Sequence, residues 1–303
     1  MKKQKRRAFL KKTGAATLGM GLSAYLPALT PTPVKSRALI KKSLKFWMIK
    51  EDLSILDKFK LVKDLGIDGI ELDSPNALNE REILEARDKT GLEIPGVVNS
   101  VHWKSPLSDP DPKVRETCLE SMKVAIKACK LYGGTTVLLV PGVVNEKVSY
   151  ADAYKRSQEE IRKLLPLAEE TAIKLAIENV WNNFLISPLE AARYIDEFES
   201  DMIGWYFDVG NIVRYGWPDQ WVRILGKRII KVDIKEYSRK KQVDEGIWEG
   251  FKVKIGDGDS DWAKVNKALL EVGYKGWGSA EVNGGDRERL KEIAERMDKV
   301  FAL

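Results

Sequence analysis

Residues 229–237 read IIKVDIKEY. Apolar Ile230, Val232 and Ile234 alternate with charged Lys231, Asp233 and Lys235, a two-residue period that specifies a β-strand with one apolar and one charged face. The neighbouring chain alternates single short strands with helical stretches, the pattern of a parallel sheet covered on both sides. The charged face therefore has no open solvent to meet. A barrel resolves the conflict. Ile230, Val232 and Ile234 are expected to face the surrounding helices, and Lys231, Asp233 and Lys235 the lumen, with the last two near its mouth.

Seven further apolar runs fit the same scheme, so that eight runs end near Ile49, Asp73, Asn99, Val140, Glu178, Asp208, Asp233 and Glu281. Amphipathic stretches such as LSILDKFKLVKDLG, PKVRETCLESMKVAIKACKLYGG and DWAKVNKALLEVGY lie between them. Eight strand–helix units in series specify an α/β fold, a single-domain (β/α)8 TIM barrel over residues 39–303. The competitor is a doubly wound open sheet, but no Gly-rich phosphate-binding fingerprint opens any helix.

Residues 1–38 read differently. Seven Lys or Arg precede position 13, an apolar segment runs from about Gly14 to Leu29, and no acid occurs, which is the composition of an export signal. Arg6 and Arg7, followed by Ala8, Phe9, Leu10 and Lys11, resemble a twin-arginine signal. That implies a twin-arginine translocase as transient partner and a periplasmic or other extracytoplasmic destination; a basic Sec signal is the alternative. Removing residues 1–38 takes away nine basic residues, leaving 42 against 45 acids, a formal charge of −3 rather than +6. Nucleic acid is thereby excluded as a partner on charge, and no stable membrane association is expected once the signal is gone. Cys118 and Cys129 stand eleven residues apart on one predicted helix, about 16 Å along its axis, too far to pair with each other.

The strand-seven pattern recurs on its neighbours. LAIENVW ends strand five at Glu178, GWYFDVGN ends strand six at Asp208, and GWGSAEVNGG ends strand eight at Glu281. One strand-end acid is more often a helix N-cap. Four on consecutive strands converge on one point, where they repel and need protons, lysines or a cation to coexist. One divalent metal ion held by Glu178, Asp208, Asp233 and Glu281 is the most economical answer. All-oxygen ligation favours a hard ion: Mn²⁺ is expected, with Mg²⁺ or Ca²⁺ as alternatives. The opposing reading pairs Asp233 with Lys231 or Lys235 and leaves no metal.

These motifs, with IGDGDSDWAKVNKALLEVGYKGWGSAEV, resemble the sugar phosphate isomerase/epimerase family, the xylose-isomerase-like TIM barrels that include the ketose 3-epimerases. The resemblance runs from LKFWMI to the last helix. It implies metal ligands at Glu178, Asp208, Asp233 and Glu281, although the family's usual VHIKD is VDIKE here, so Asp233 stands where a histidine normally binds. Asn211 occupies a position where several ketose epimerases have a substrate-binding histidine, and Arg239 one where they have a sugar-binding arginine.

The resemblance implies a small-molecule carbohydrate substrate and a metal-dependent isomerase or epimerase. Glu178 and Glu281 exchange a proton beside a carbonyl through an enediolate, and Lys235 and Arg239 are candidates to stabilise the oxyanion. His102, Trp103, Trp181 and Trp248 are further candidate substrate contacts, the tryptophans as stacking platforms. Glu71 and Lys231 are read as lumen residues supporting the ligands. A lyase or hydratase on 3-keto-sugars would use the same chemistry, and a carbohydrate-binding barrel without catalysis is the non-enzyme alternative; a homo-oligomer is compatible with either. An endonuclease of this barrel class needs several histidines and a basic surface, and the chain has one histidine.

Overall fold

Eight parallel strands close on themselves in chain order. They are β1 (Ile40–Lys45), β2 (Gly69–Ser74), β3 (Gly96–Asn99), β4 (Thr136–Leu139), β5 (Lys174–Glu178), β6 (Ile203–Asp208), β7 (Ile229–Ile234) and β8 (Gly276–Ala280). This computed structural model describes residues 40–303, and the export segment assigned to residues 1–38 lies outside them. The helices are α1 (Ile55–Asp64), α2 (Glu80–Thr90), α3 (Pro112–Tyr132), α4 (Tyr150–Arg162), α5 (Leu165–Thr171), α6 (Pro188–Asp196), α7 (Val209–Val213), α8 (Pro218–Leu225), α9 (Arg239–Asp244), α10 (Trp262–Glu271) and α11 (Arg287–Phe301). The expected single TIM barrel is the observed fold.

Local chemistry sets the helix ends. Ser54, Asn79, Asp111 and Ser149 accept amide hydrogens in the first turns of α1, α2, α3 and α4. α2 and α3 stop at Gly91 and Gly133, both left-handed. The helical stretch over α4 and α5 breaks before Pro166, which cannot donate to a preceding turn. Among the described residues no helix is long and apolar enough to cross a membrane. Cys118 and Cys129 lie on α3 as free, buried thiols, and burial pushes both up to about 12.

The main core lies between the barrel and its helices, and Val232 and Ile234 belong to it as expected. Ile230 does not. The β6–β7 ladder slips between Trp205 and Tyr206, so Ile229 pairs with Trp205 and Lys231 with Tyr206. This irregularity reverses the facing of the residue between, and Ile230 packs with Leu138, Ala176, Tyr206 and Val98 in a small cluster separate from the main core. The first strand also differs from expectation. It ends at Lys45 rather than Ile49, because Phe46–Met48 form a single 3-10 turn. Lys45 therefore becomes a strand-end residue, in register with Glu71.

The long connection from β7 to α10 is held by Glu236. Its Oε2 accepts from the Gly256 amide (2.8 Å) and Trp262 Nε1 (2.9 Å), and its Oε1 from the Ser260 amide (3.0 Å). Gly258 lies so close that a Cβ there would sit 2.6 Å from Glu236 Oε1 and 2.6 Å from the Tyr237 carbonyl oxygen. Glu236→Ala leaves these buried donors without their acceptor and is expected to cost about 3 kcal/mol in denaturant unfolding. An unchanged unfolding free energy would mean that the loop is held by other contacts.

Candidate metal centre

Glu178, Asp208, Asp233 and Glu281 meet at the C-terminal mouth of the barrel, each offering a carboxylate oxygen within 4.8 Å of the others. The ladder explains the convergence: Asp208 is in register with Asp233, and the Glu281 amide donates to the Ile234 carbonyl. Asp208 also caps α7, its Oδ1 accepting the Asn211 amide at 2.8 Å. Asn179 clamps Asp208 from the adjacent strand end. Its Nδ2 donates to the Asp208 carbonyl (2.8 Å), and its Oδ1 accepts the Asp208 amide (3.0 Å) and Trp205 Nε1 (2.9 Å).

Lys235 bridges the upper acids, with Nζ 2.7 Å from Asp208 Oδ2 and 2.6 Å from Glu281 Oε2. Neither Lys235 nor Lys231 closes on Asp233. The ammonium beside Asp233 belongs to Lys45, 3.0 Å from its Oδ1. Lys45 also donates to Glu71 Oε2 (2.7 Å) and to the Tyr206 hydroxyl (3.0 Å), and Tyr206 donates to Glu71 Oε2 (2.8 Å). Lys231 pairs with the other Glu71 oxygen and reaches Thr136 Oγ1 at 3.3 Å. Glu71 and Lys231 thus face the lumen as expected, but they act on each other, and only Lys45 connects them to Asp233.

The acids are displaced in opposite directions. Burial, reinforced by Glu281 and Asp233, raises Glu178 well above the ordinary carboxylate range. Burial likewise raises Asp233, with Lys45 opposing, and takes Asp208 to about 6. Burial also acts upward on Glu281, but Lys235 and Lys45 outweigh it and hold Glu281 below the usual value.

The donor set fits a hard divalent cation. Asp208 Oδ2, both Asp233 oxygens and Glu281 Oε2 are buried without a hydrogen-bond donor, although lysine ammoniums lie within ion-pair distance of three of them. Buried carboxylate oxygens left in this way are costly unless a cation takes them.

The other sequence candidates divide. His102 is buried, and its Nδ1 accepts the Val140 amide at 3.3 Å, which leaves the ring proton on Nε2. Trp103 packs edge-on to His102 and is exposed. Trp181 donates to the Asn211 carbonyl and packs with Phe251, Trp248 and Tyr237; Trp248 is the exposed member at the rim. A pocket of about 240 Å³ lies beside the acids, lined by Trp47, Phe251, Lys235 and Glu281 among others. Two candidates are committed elsewhere. Asn211 Nδ2 donates to the Asn179 carbonyl, and the Arg239 guanidinium donates to the Val213 and Gly216 carbonyls while lying over Trp217. Both serve the loop scaffold because short loops leave backbone carbonyls needing donors. Lys45, Tyr206 and Asn179 were missed; for Lys45 the only available signal was the lumen parity of LKFWMI.

Burial pulls His102 down to about 4, with Glu281 opposing. Its folded value thus lies below the ordinary 6.5, and between these values the unfolded chain binds more protons. The stability gained by burying neutral His102 is complete above about pH 6.5 and is lost as the pH falls towards 4. The loss is expected to be about 3 kcal/mol. His102→Asn, whose oxygen can take the same amide, should show a correspondingly shallower fall in melting temperature between pH 7 and pH 4. Parallel curves for the two proteins would refute the assignment.

Fold and centre together define a (β/α)8 barrel with four carboxylates converging at its C-terminal mouth. The chain belongs to the xylose isomerase-like TIM barrel family, whose model matches residues 59–300. Among curated proteins, it is 27% identical to an uncharacterized protein of Methanocaldococcus jannaschii over 230 residues, 71% of this chain and 73% of that protein. It is 24% identical to L-ribulose-5-phosphate 3-epimerase UlaE of Escherichia coli K12 over 233 residues, 73% of this chain and 79% of that one. Among solved structures, an L-ribulose 3-epimerase matches with a TM-score of 0.74 at 16% identity, over 87% of this chain and 95% of the other. The apo 3-keto-D-glucoside 4-epimerase YcjR of E. coli matches with 0.72 at 17% identity, over 87% and 100%. The structural likenesses establish the fold.

Proposed function

We propose that the protein is a sugar epimerase or isomerase that depends on one divalent cation, Mn²⁺ in first place, held by Glu178, Asp208, Asp233 and Glu281. The observation that carries the reading is the convergence of these four acids, with oxygens of Asp208, Asp233 and Glu281 buried without a hydrogen-bond donor. The UlaE relative and the epimerase folds support the reaction class. When bound, the cation would polarise a sugar carbonyl and acidify the adjacent C–H. One of Glu178 and Glu281 takes the proton from that carbon, and the electron pair moves onto the carbonyl oxygen to give an enediolate. The other returns a proton to the other face of the same carbon, or to its neighbour, giving epimerisation or isomerisation. Lys235 faces the developing oxyanion with its ammonium. Trp47 and Phe251 offer apolar faces to the sugar ring.

The test is incubation of cation-loaded protein with ketoses, aldoses and 3-keto-glycosides in D₂O. Deuterium is expected at the carbon beside the carbonyl, abolished by chelator and restored by Mn²⁺. Absence of exchange with every substrate and cation would overturn the reading, and elimination products would point to a lyase.

We further propose that Arg6 and Arg7 direct twin-arginine export to the periplasm. Replacing both with Lys is expected to retain a folded precursor in the cytoplasm; normal export of that variant would argue for the Sec route.

A further inference from the structure

Beneath the four acids lies a buried charge group to which the proposed reaction assigns no role. Lys45 is 1% exposed and spans Glu71 and Asp233, at 2.7 and 3.0 Å. Glu71 and Lys231 form a buried pair that contributes no net charge wherever their shared proton sits. Four acids then remain against two ammoniums, Lys45 from below and Lys235 from the mouth, a formal charge of −2. Asp233 is fully buried, and its Oδ2 has neither a hydrogen-bond donor nor an ammonium beside it, so that oxygen is available to a cation. The less water reaches a site, the more the net charge of the cage weighs on which ion charge it prefers.

We propose that Lys45 is a specificity-determining residue that sets the cation charge this centre accepts: by cancelling one of the four carboxylates from inside the barrel, it makes the centre a site for one divalent ion. This rests on the cation reading given above. Lys235 is poorly suited to this task, because it sits at the mouth, 18% exposed in its side chain, where solvent can replace it. Lys45 has no such exchange and is fixed on both sides by Glu71 and the Tyr206 hydroxyl.

The experiment compares Ca²⁺ with Tb³⁺, ions of similar size and different charge. Calorimetry and tryptophan-sensitised Tb³⁺ luminescence on the full chain give the ratio of their affinities. Lys45→Met takes the cage to −3 and is expected to raise the preference for Tb³⁺ over Ca²⁺ by about tenfold or more. Asp233→Asn, with Lys45 kept, takes it to −1 and should lower the same ratio. The double variant returns to −2, and its ratio should fall back to within about threefold of the parent even though both ions bind more weakly. Should Lys45→Met fail to fold, Asp233→Asn and the double variant still decide the matter. A ratio that stays constant across the folded variants overturns the role of Lys45 alone. A parent protein that binds neither ion overturns the cation reading, and this inference with it.

Discussion

Replacing Glu178 or Glu281 with glutamine is expected to lower turnover by about 100-fold or more while leaving the barrel folded. Glutamine matches glutamate in volume and reach but carries no transferable proton at the carboxyl position. Glu178 ends β5 and Glu281 directly follows β8, and the backbone pairing at both positions does not depend on the side chain. Lys235 keeps a partner in either variant, because Asp208 Oδ2 remains 2.7 Å away. The two variants should also differ from each other. Without the proton acceptor, no deuterium enters the substrate at all. Without the proton donor, exchange at one face survives and inversion is lost. Full activity of both variants on a substrate that the parent converts, with unchanged melting curves, would show that neither acid transfers a proton.

The second large effect concerns Asp233. Asp233→Asn keeps the shape and removes the charge, and affinity for every divalent ion is expected to fall by about 100-fold. Metal content after dialysis, read by mass spectrometry, measures it. Asp233→His is expected to move preference toward Mn²⁺, Co²⁺ or Zn²⁺, ions that accept nitrogen more readily. The structure adds a cost to that exchange. Lys45 lies 3.0 Å from Asp233 Oδ1 and would face an imidazole in place of a carboxylate, retaining only Glu71 as its anion. The histidine variant should therefore melt at a lower temperature than the parent even when loaded. Pairing it with Lys45→Met should recover part of that loss. Retention of parental metal content and selectivity in both Asp233 variants would remove Asp233 from the ligand set.

The barrel was legible because its signal is repeated. Eight apolar runs, the last four of them ending in acids, leave little freedom in topology, and β5 and β6 end at the residues read from the sequence, Glu178 and Asp208. The electrostatic partners were not legible. Lys231 stands two residues from Asp233 in sequence, yet it pairs with Glu71, 160 positions away across the lumen. Which lysine meets which acid depends on strand tilt and on side-chain length, and a single sequence records neither. Lys45 was hidden by the apolar run SLKFWMI, which reads as one strand to Ile49 although the chain turns at Phe46–Met48. The misplacement of Ile230 has a similar origin, since alternation cannot reveal a slipped ladder. Arg239 and Asn211 have donors on nearby carbonyls, partners that residue type alone does not reveal.

The Glu236 clasp bears on how such a mouth can diversify. It joins the foot of the β7–α10 connection at Gly256, Ser260 and Trp262, and the Asp259 amide donates to the Tyr237 carbonyl beside it. Between these feet, the Ser238 amide donates to the Gly250 carbonyl, so the excursion carrying α9, Trp248 and Phe251 leaves and returns through one closed neck. A segment anchored this way can be lengthened, shortened or exchanged between relatives without transmitting strain to Asp233 or Lys235, since loop length itself costs little once the ends are fixed. The rim is then a cassette set on a separately braced chamber, a division that allows what is admitted to change while the acids below keep their places.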